Sequence, residues 1–368
     1  MPETTAKAPS IVLTGGGSAG HVTPNIALLG PLQARGYDIS YIGSYDGIEK
    51  RLISDFDIPY YGISSGKLRR YFDPQNFTDP FKVIKGFREA RKILKELKPD
   101  VIFSKGGYVA VPVVRAAATL KIPCILHESD MTPGLANRIC IPVASKICCN
   151  FPETLNKLPA DKAILTGTPI RDELLKGSRE KAMELCGFTT DKPVILVIGG
   201  SLGAASVNQV VRASLPRLLP DFQVVHITGK DKMDNLLLRT DGYKQFEYLK
   251  SDLKDMFALA DLVISRAGAN AICELLALKK PNILVPLPKT ASRGDQLLNA
   301  ASFEAQGFSA VVDEDNLTPV LLTEKIHEVF FNKNLYIENM KNSGQMDAVK
   351  MIISLIEKEF EIHGQPNS

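Results

Sequence analysis

The sequence predicts an α/β protein of two doubly wound parallel-sheet domains facing each other across a cleft. Three observations predict it. Short apolar runs alternate with helix-spaced patterns along nearly the whole chain, as in sheets covered by helices on both faces. Two of those runs, about half a chain apart, end in glycine-rich turns that open helices: G-G-G-S-A-G-H at 15–21 and G-G-S-L-G-A at 199–204. A chain of 368 residues also exceeds one ordinary domain.

Taken in order, strands are expected near 10–15, 38–43, 58–64, 101–104, 123–127, 146–150 and 162–166, with helices near 22–36, 47–55, 80–98, 109–121 and 134–142 between them. The second half repeats the style. Its strands fall near 194–199, 223–228, 246–249, 261–265, 282–286 and 309–312, and its helices near 204–219, 231–239, 252–259, 268–279, 293–306 and 319–332. Residues 1–9 read as a disordered polar leader, 10–167 as the first domain and 168–345 as the second. The join is G-T-P-I-R at 167–171. Within 346–368, Val349, Ile352, Ile353, Ile356 and Phe360 recur at helical spacing. They predict an amphipathic terminal helix docked on a domain surface, with the first domain as a candidate host.

Composition bounds the function. The chain is 45% apolar and 23% charged, as soluble globular proteins are. A net charge of +3 does not by itself suggest nucleic acid, and no nucleic-acid module is recognisable. The charge is uneven: residues 66–98 hold ten Lys/Arg against four Asp/Glu. Six cysteines without zinc-type spacing read as buried reduced thiols. No run is long and apolar enough to span a bilayer.

Open α/β sheets bind ligands beyond the C-terminal ends of their strands, and the motifs fall there. G-G-G-S-A-G at 15–20 matches G-x-G-x-x-G, but the second strand ends Tyr41-Ile42-Gly43-Ser44 without the acidic residue a dinucleotide site wants. A phosphate or sugar cradle made of backbone N–H groups and a helix dipole fits better. His21, at the first turn of the next helix, is expected neutral beside the positive helix end; it is either a general base or a capping residue. S-K-G-G-Y-V at 104–109 is a second Gly-Gly turn able to add N–H donors to the same anion. H-E-S-D at 127–130 puts polar groups at a strand end, as a catalytic or a salt-bridged structural cluster. In the second half, the Ser201 hydroxyl suits a diphosphate that Arg171 can reach. Residues 267–271 are small and let a ligand approach the backbone, and Glu274 can accept both hydroxyls of a ribose. The amides of Gln296 and Asn299 suit a hexose. Asp313-Glu314-Asp315 invites a metal, but acidic residues also cap and turn at strand exits, so no metal ligands are assigned. Lys67, Arg69, Arg70, Phe72, Phe77 and Phe81 place rings among cations, as on a surface resting on anionic lipid.

In their order and spacing, G-G-G-S-A-G-H-V-T-P (15–24), S-K-G-G-Y-V (104–109), H-E-S-D-M-T-P-G-L-A-N-R (127–138), G-T-P-I-R (167–171), G-G-S-L-G-A (199–204), the segment 266–274 and Q-L-L-N-A (296–300) resemble the MurG-type peptidoglycan glycosyltransferases. The resemblance covers most of the chain. It implies the GT-B architecture of two facing Rossmann-like domains. It implies transfer of GlcNAc from UDP-GlcNAc to the MurNAc 4-hydroxyl of lipid I, giving lipid II, with inversion and no covalent intermediate.

The resemblance also implies roles. Ser201 and Arg171 would meet the donor diphosphate and Glu274 the ribose. Leu253, and separately the backbone around Ile272 in the segment Ala269, Asn270, Ala271, Ile272 and Cys273, would line the uracil, and Gln296 the sugar. Ser18, Ala19 and Gly20 would approach the donor from the first domain. Gly16, Gly17, Gly106, Gly107 and Tyr108 would cradle the acceptor diphosphate. His21 is the favoured base and Glu128 the second. Many members carry His-Glu-Gln-Asn where this chain has His127-Glu128-Ser129-Asp130, so Asp130 either accepts from a sugar hydroxyl or does not share that contact. No cofactor is required, although the sequence is compatible with a divalent ion. Expected partners are UDP-GlcNAc, lipid I, anionic inner-membrane lipids and cell-wall synthesis or division proteins, at the cytoplasmic face of a bacterial membrane. The alternatives are another GT-B lipid-directed transferase, a UDP-GlcNAc 2-epimerase, or a non-catalytic nucleotide-sugar-binding protein.

Overall fold

A computed structural model describes residues 8–66, 75–189, 192–199, 204–290, 294–343 and 347–363. It divides into two units, Met1–Arg171 with Gln345–Ser368, and Asp172–Gly344. The first unit runs β1 (Ser10–Thr14), α1 (Thr23–Gln33), β2 (Asp38–Ser44), α2 (Ile48–Ile53), β3 (Tyr60–Ile63), α3 (Gln75–Leu97), β4 (Val101–Ser104), α4 (Ala110–Thr119), β5 (Cys124–Glu128), α5 (Leu135–Cys140), β6 (Lys146–Cys149), α6 (Pro152–Leu155) and β7 (Ala163–Leu165). Its seven strands are all parallel, in the order β3-β2-β1-β4-β5-β6-β7. Alternation along β1 divides the core. Ile11 and Leu13 join one apolar cluster, and Val12 joins the other.

The second unit runs α7 (Arg179–Cys186), β8 (Val194–Ile198), α8 (Ala205–Leu218), β9 (Gln223–Ile227), β10 (Tyr243–Phe246), α9 (Leu253–Leu259), β11 (Leu262–Ser265), α10 (Ala269–Ala277), β12 (Asn282–Leu284), α11 (Asp295–Ala305), β13 (Ala310–Val311), α12 (Pro319–Phe331) and α13 (Lys333–Lys341). Its six strands are parallel, in the order β10-β9-β8-β11-β12-β13. The last helix, α14 (Ala348–His363), belongs to the first unit. Val349, Ile352, Ile353 and Ile356 lie in one cluster with Ile11, Leu28, Leu32 and Val101.

Each sheet therefore has the doubly wound pattern expected, with its switch point between the first strand and the one on its other flank: β1/β4 and β8/β11. Two expectations fail locally. The strand placed at 246–249 is β10, three residues earlier, because Tyr243 and Gln245 are the inward residues and Gly242 with φ 76° makes the turn into it. The helix placed at 231–239 is only a 3₁₀ turn, Asn235–Leu237. Asp234 caps Leu236 N at 3.0 Å, and the Leu236 side chain stands 93% exposed instead of joining a core.

Candidate active site

Four of the motifs singled out above, at 15–24, 104–109, 199–204 and 266–274, follow the four strands that flank the two switch points, and the others follow strands further out in each sheet. In the first unit the Gly15–Gly17 turn leaves β1, and Lys105-Gly106-Gly107 leaves the adjacent β4. The two turns touch. A Cβ on Gly107 would stand 2.2 Å from Gly16 O and 3.2 Å from His21 Nδ1, and one on Gly17 2.4 Å from the Tyr108 ring. Gly17, Gly106 and Gly107 also have φ of 83°, 89° and 81°, which side chains rarely adopt. The carbonyls of the first turn are fixed from below. Thr14 O accepts from Lys105 N at 2.9 Å and Asn25 Nδ2 at 3.1 Å, and Gly15 O accepts from the Tyr41 hydroxyl at 2.7 Å.

His21 closes a 3₁₀ turn, Ala19–His21, ahead of α1, with Nδ1 2.9 Å from Ser18 Oγ. Its pKa is pushed down to about 4, first by burial and then by the Lys105 charge, against smaller upward effects of Glu49 and a Gly16 backbone hydrogen bond. The imidazole is neutral at pH 7, with desolvation the largest cause and the buried Lys105 the next. Lys105, quoted only inside a motif, is buried. Its ammonium lies 2.8 Å from His127 Nδ1 and donates to Ser129 Oγ. His127 Nε2 lies 2.9 Å from Gly167 O, so Nδ1 is left to accept from Lys105. The sequence signal for Lys105 was its position between β4 and a Gly-Gly turn.

Two of the assigned residues already hold hydrogen-bond partners. Glu128 is buried, and its oxygens accept from Asp130 N at 2.9 Å, Gly134 N at 3.0 Å and Asn137 Nδ2 at 2.9 Å. Burial still holds its carboxyl above the usual range. A carboxylate that accepts from three donors ties the 128–134 loop together. Gly17 N, assigned to an acceptor diphosphate, already donates to Glu49 Oε2 at 3.2 Å. The expectation for Gly16, Gly106, Gly107 and Tyr108 is unaffected by this bond.

In the second unit, β8 leads through Gly199 to α8, and β11 leads through Arg266, Ala267 and Gly268 to α10. Ser201 lies outside the described residues, as do Lys67, Arg69, Arg70 and Phe72 and the side chain of Phe77. Ala269, Asn270, Ala271, Ile272, Cys273 and Glu274 form the first six residues of α10, with Glu274 half-buried. Leu253 opens α9. Gln296 Oε1 accepts from Leu287 N at 3.1 Å, which fixes its amide at the head of α11. Asn299 is buried and donates to Ala267 O at 3.2 Å, so it holds the β11–α10 loop and offers no surface to a hexose. Arg171 Nε is buried with no hydrogen-bond partner among the described residues.

The acidic run after β13 is not an open ligand set. Glu314 pairs with Arg266 through Nη1 at 2.6 Å and Nη2 at 3.1 Å, and it accepts from Ser206 Oγ. Arg266 Nη1 also donates to Val285 O at 3.0 Å. One bidentate pair thereby ties the β11, β12 and β13 exits to the first turn of α8. Among the described residues, no three His, Cys, Asp or Glu side chains are grouped to hold a metal ion.

Two parallel-sheet α/β domains, each doubly wound, define a GT-B-like glycosyltransferase fold. Residues 11–149 match the glycosyltransferase family 28 N-terminal domain and residues 194–356 the glycosyltransferase family 28 C-terminal domain, and the chain belongs to this family. It is 63% identical over 348 residues to the UDP-N-acetylglucosamine–N-acetylmuramyl-(pentapeptide) pyrophosphoryl-undecaprenol N-acetylglucosamine transferase of Lachnoclostridium phytofermentans, spanning 95% of this chain and 98% of that protein. To the protein of the same name from Clostridium tetani it is 54% identical over 350 residues, again 95% and 98% of the two. Among solved structures, MurG of Acinetobacter baumannii superposes with TM-score 0.76 at 28% identity over 95% of this chain and 99% of that one. A UDP-GlcNAc 2-epimerase from Neisseria meningitidis, bound to UDP-GlcNAc, shares the fold at TM-score 0.65 and 15% identity, over 95% of this chain and all of that one (100%).

Proposed function

We propose that this chain transfers GlcNAc from UDP-GlcNAc to the MurNAc 4-hydroxyl of an undecaprenyl-pyrophosphoryl-MurNAc-pentapeptide, lipid I, to give lipid II. The observation that carries this reading is the alignment with the named transferases over nearly their full lengths. The second unit takes the donor. Glu274 accepts from the ribose, Leu253 and Ile272 flank the uracil, Gln296 meets the sugar and Ser201 the diphosphate, which is also the anion proposed for Arg171, the residue at which the first unit ends. The unpartnered, buried Arg171 Nε supports an anion there. The first unit takes the acceptor, with its diphosphate against Gly106, Gly107 and Tyr108.

His21, neutral and held by Ser18, removes the proton from the attacking hydroxyl. The hydroxyl oxygen attacks the anomeric carbon from the face opposite UDP, the glycosidic bond to phosphate breaks, and the configuration inverts. Charge developing on UDP is met by Arg171 and the head of α8. The chain works at the cytoplasmic membrane surface, resting on the basic, ring-bearing face of α3.

The test is UDP release by the full chain with and without a lipid I analogue. Release that requires the analogue, accompanied by a disaccharide product, is expected, and His21→Ala should lower kcat by about 10²-fold or more with UDP-GlcNAc binding retained. Turnover of UDP-GlcNAc without acceptor, as an epimerase would give, would overturn the reading.

A further inference from the structure

Glu49 is fully buried in the first turn of α2, at 0% exposure. Its carboxylate accepts from Gly17 N at 3.2 Å, Ser44 N at 3.0 Å and the Ser44 hydroxyl. No Lys or Arg among the described residues forms an ion pair with it. Burying a carboxylate is costly unless hydrogen-bond donors meet it, so three neutral donors from the end of β2 and the turn after β1 mark a built berth. Three glycines keep that berth open. A Cβ on Gly16, Gly43 or Gly47 would stand 2.6, 2.8 or 2.2 Å from the Glu49 side chain. The end of β2, the head of α2 and the β1 turn thus meet on one carboxylate.

We propose that Glu49 is a positioning residue for the transfer: it occupies, as an internal anion, the place at the Gly15–Gly17 turn that a ligand phosphate takes in other glycine-rich turns, and so fixes where Ser18 and His21 stand. The chemistry is that of an anion cradle satisfied from within. The turn is then pre-formed before any acceptor arrives, and His21 one residue-turn further on inherits its register. Misplacing a reacting group by about 1 Å can cost about 10²-fold in rate, which sets the scale of the effect. The inference rests on the function proposed above, since it assigns His21 a proton to remove.

The experiment uses the full chain and four variants: Glu49→Gln, Glu49→Ala, Gly16→Ala and the double Gly16→Ala/Glu49→Ala. Expected are falls of about 10- to 100-fold in kcat for each single variant, with the Kd for UDP-GlcNAc unchanged within about twofold. Glu49→Gln keeps the size but turns an NH₂ toward three N–H or O–H donors, so it should lose rate without emptying the berth. In the double variant the new methyl enters space vacated by Glu49. Its rate should be no lower than that of the worse single variant, the signature of two changes acting on one element. Glu49→Gln and Gly16→Ala, which keep the berth filled, carry the test if Glu49→Ala does not fold. Wild-type rates in the Glu49 variants, or losses that multiply in the double, would overturn the proposal. So would a parallel loss of donor affinity, which a merely structural residue would give. An inactive wild type would overturn the transfer reading and this inference together, whereas an active wild type with active Glu49 variants overturns this inference alone.

Discussion

At the residue scale the decisive pair is His21 and Lys105. In the mechanism proposed above the His21 imidazole must be neutral to accept a proton, and burial does most of that work, with the Lys105 ammonium adding to it. Lys105→Gln removes the charge and keeps most of the stem packing. The His21 pKa should then rise from about 4 toward its ordinary 6.5, stopping short because burial remains the larger cause. Since the base works unprotonated, the acid limb of the kcat/KM profile for the acceptor should move to higher pH by the same amount. A limb that stays in place would mean either that His21 is not the base or that Lys105 does not reach it. Substituting His127, whose Nδ1 accepts from Lys105, gives a control for simple disruption of the pocket.

At the scale of elements, α3 is two-faced. Ala90 and Leu94 are buried, whereas Phe81 is 74% and Ile84 50% exposed, beside exposed Lys82, Lys85, Arg88 and Lys92. Rings and aliphatic tips ringed by cations fit the boundary between headgroups and acyl chains. Each cation near an anionic surface is worth about 1 kcal/mol and each buried large side chain about 1.5–3 kcal/mol. Phe81→Ser/Ile84→Ser should therefore weaken partitioning onto vesicles containing anionic lipid by at least about tenfold. Lys85→Glu/Arg88→Glu should do likewise, and high salt should mimic only the second pair. Partitioning that neither pair alters would remove α3 from the membrane. The sequence placed this helix near 80–98, whereas it runs Gln75–Leu97. By contrast, the apolar stripe of α14 was legible in the sequence, because it is uninterrupted and its partners on α1 and β4 need no special turn, although the helix, Ala348–His363, ends beyond the Phe360 that closes the stripe.

At the scale of the whole molecule, what the sequence reveals follows from what is local. Glycine turns, strand ends and helical stripes are written in adjacent residues, so both sheets and the motifs at their switch points could be read directly. Pairings made only by folding were hidden. Glu49 lies 32 residues from Gly17, and Lys105 lies 22 from His127. The same hidden pairings set the acid stability. Burial holds three histidines neutral: His21 at about 4, His226 at about 3 and His127 well below 6.5. In the unfolded chain each titrates near 6.5. A folded pKa below the unfolded one means that the unfolded state binds more protons, so stability is complete above pH 6.5 and falls as pH drops toward the folded values. His21 alone accounts for on the order of 3 kcal/mol over that interval, set against a total stability of about 5–15 kcal/mol. Glu314, lowered by Arg266, adds to the loss below its ordinary value of 4.5. Glu128, raised by burial, works in the opposite direction and softens it. His21 and His127 belong to the first unit and His226 to the second, so both units should weaken together. Urea unfolding followed at pH 7.5, 6.5, 5.5 and 4.5 should show a midpoint that falls slightly across the first step, by about 1 kcal/mol of stability for three half-protonated histidines in the unfolded chain, and more steeply thereafter. Asn208 and the Tyr243 hydroxyl hold His226 at 2.9 and 2.8 Å, so His226→Gln, which cannot take up that proton, should flatten the second unit's share of the fall. An equal midpoint at pH 7.5 and 4.5 would show that these histidines are not kept neutral by the fold.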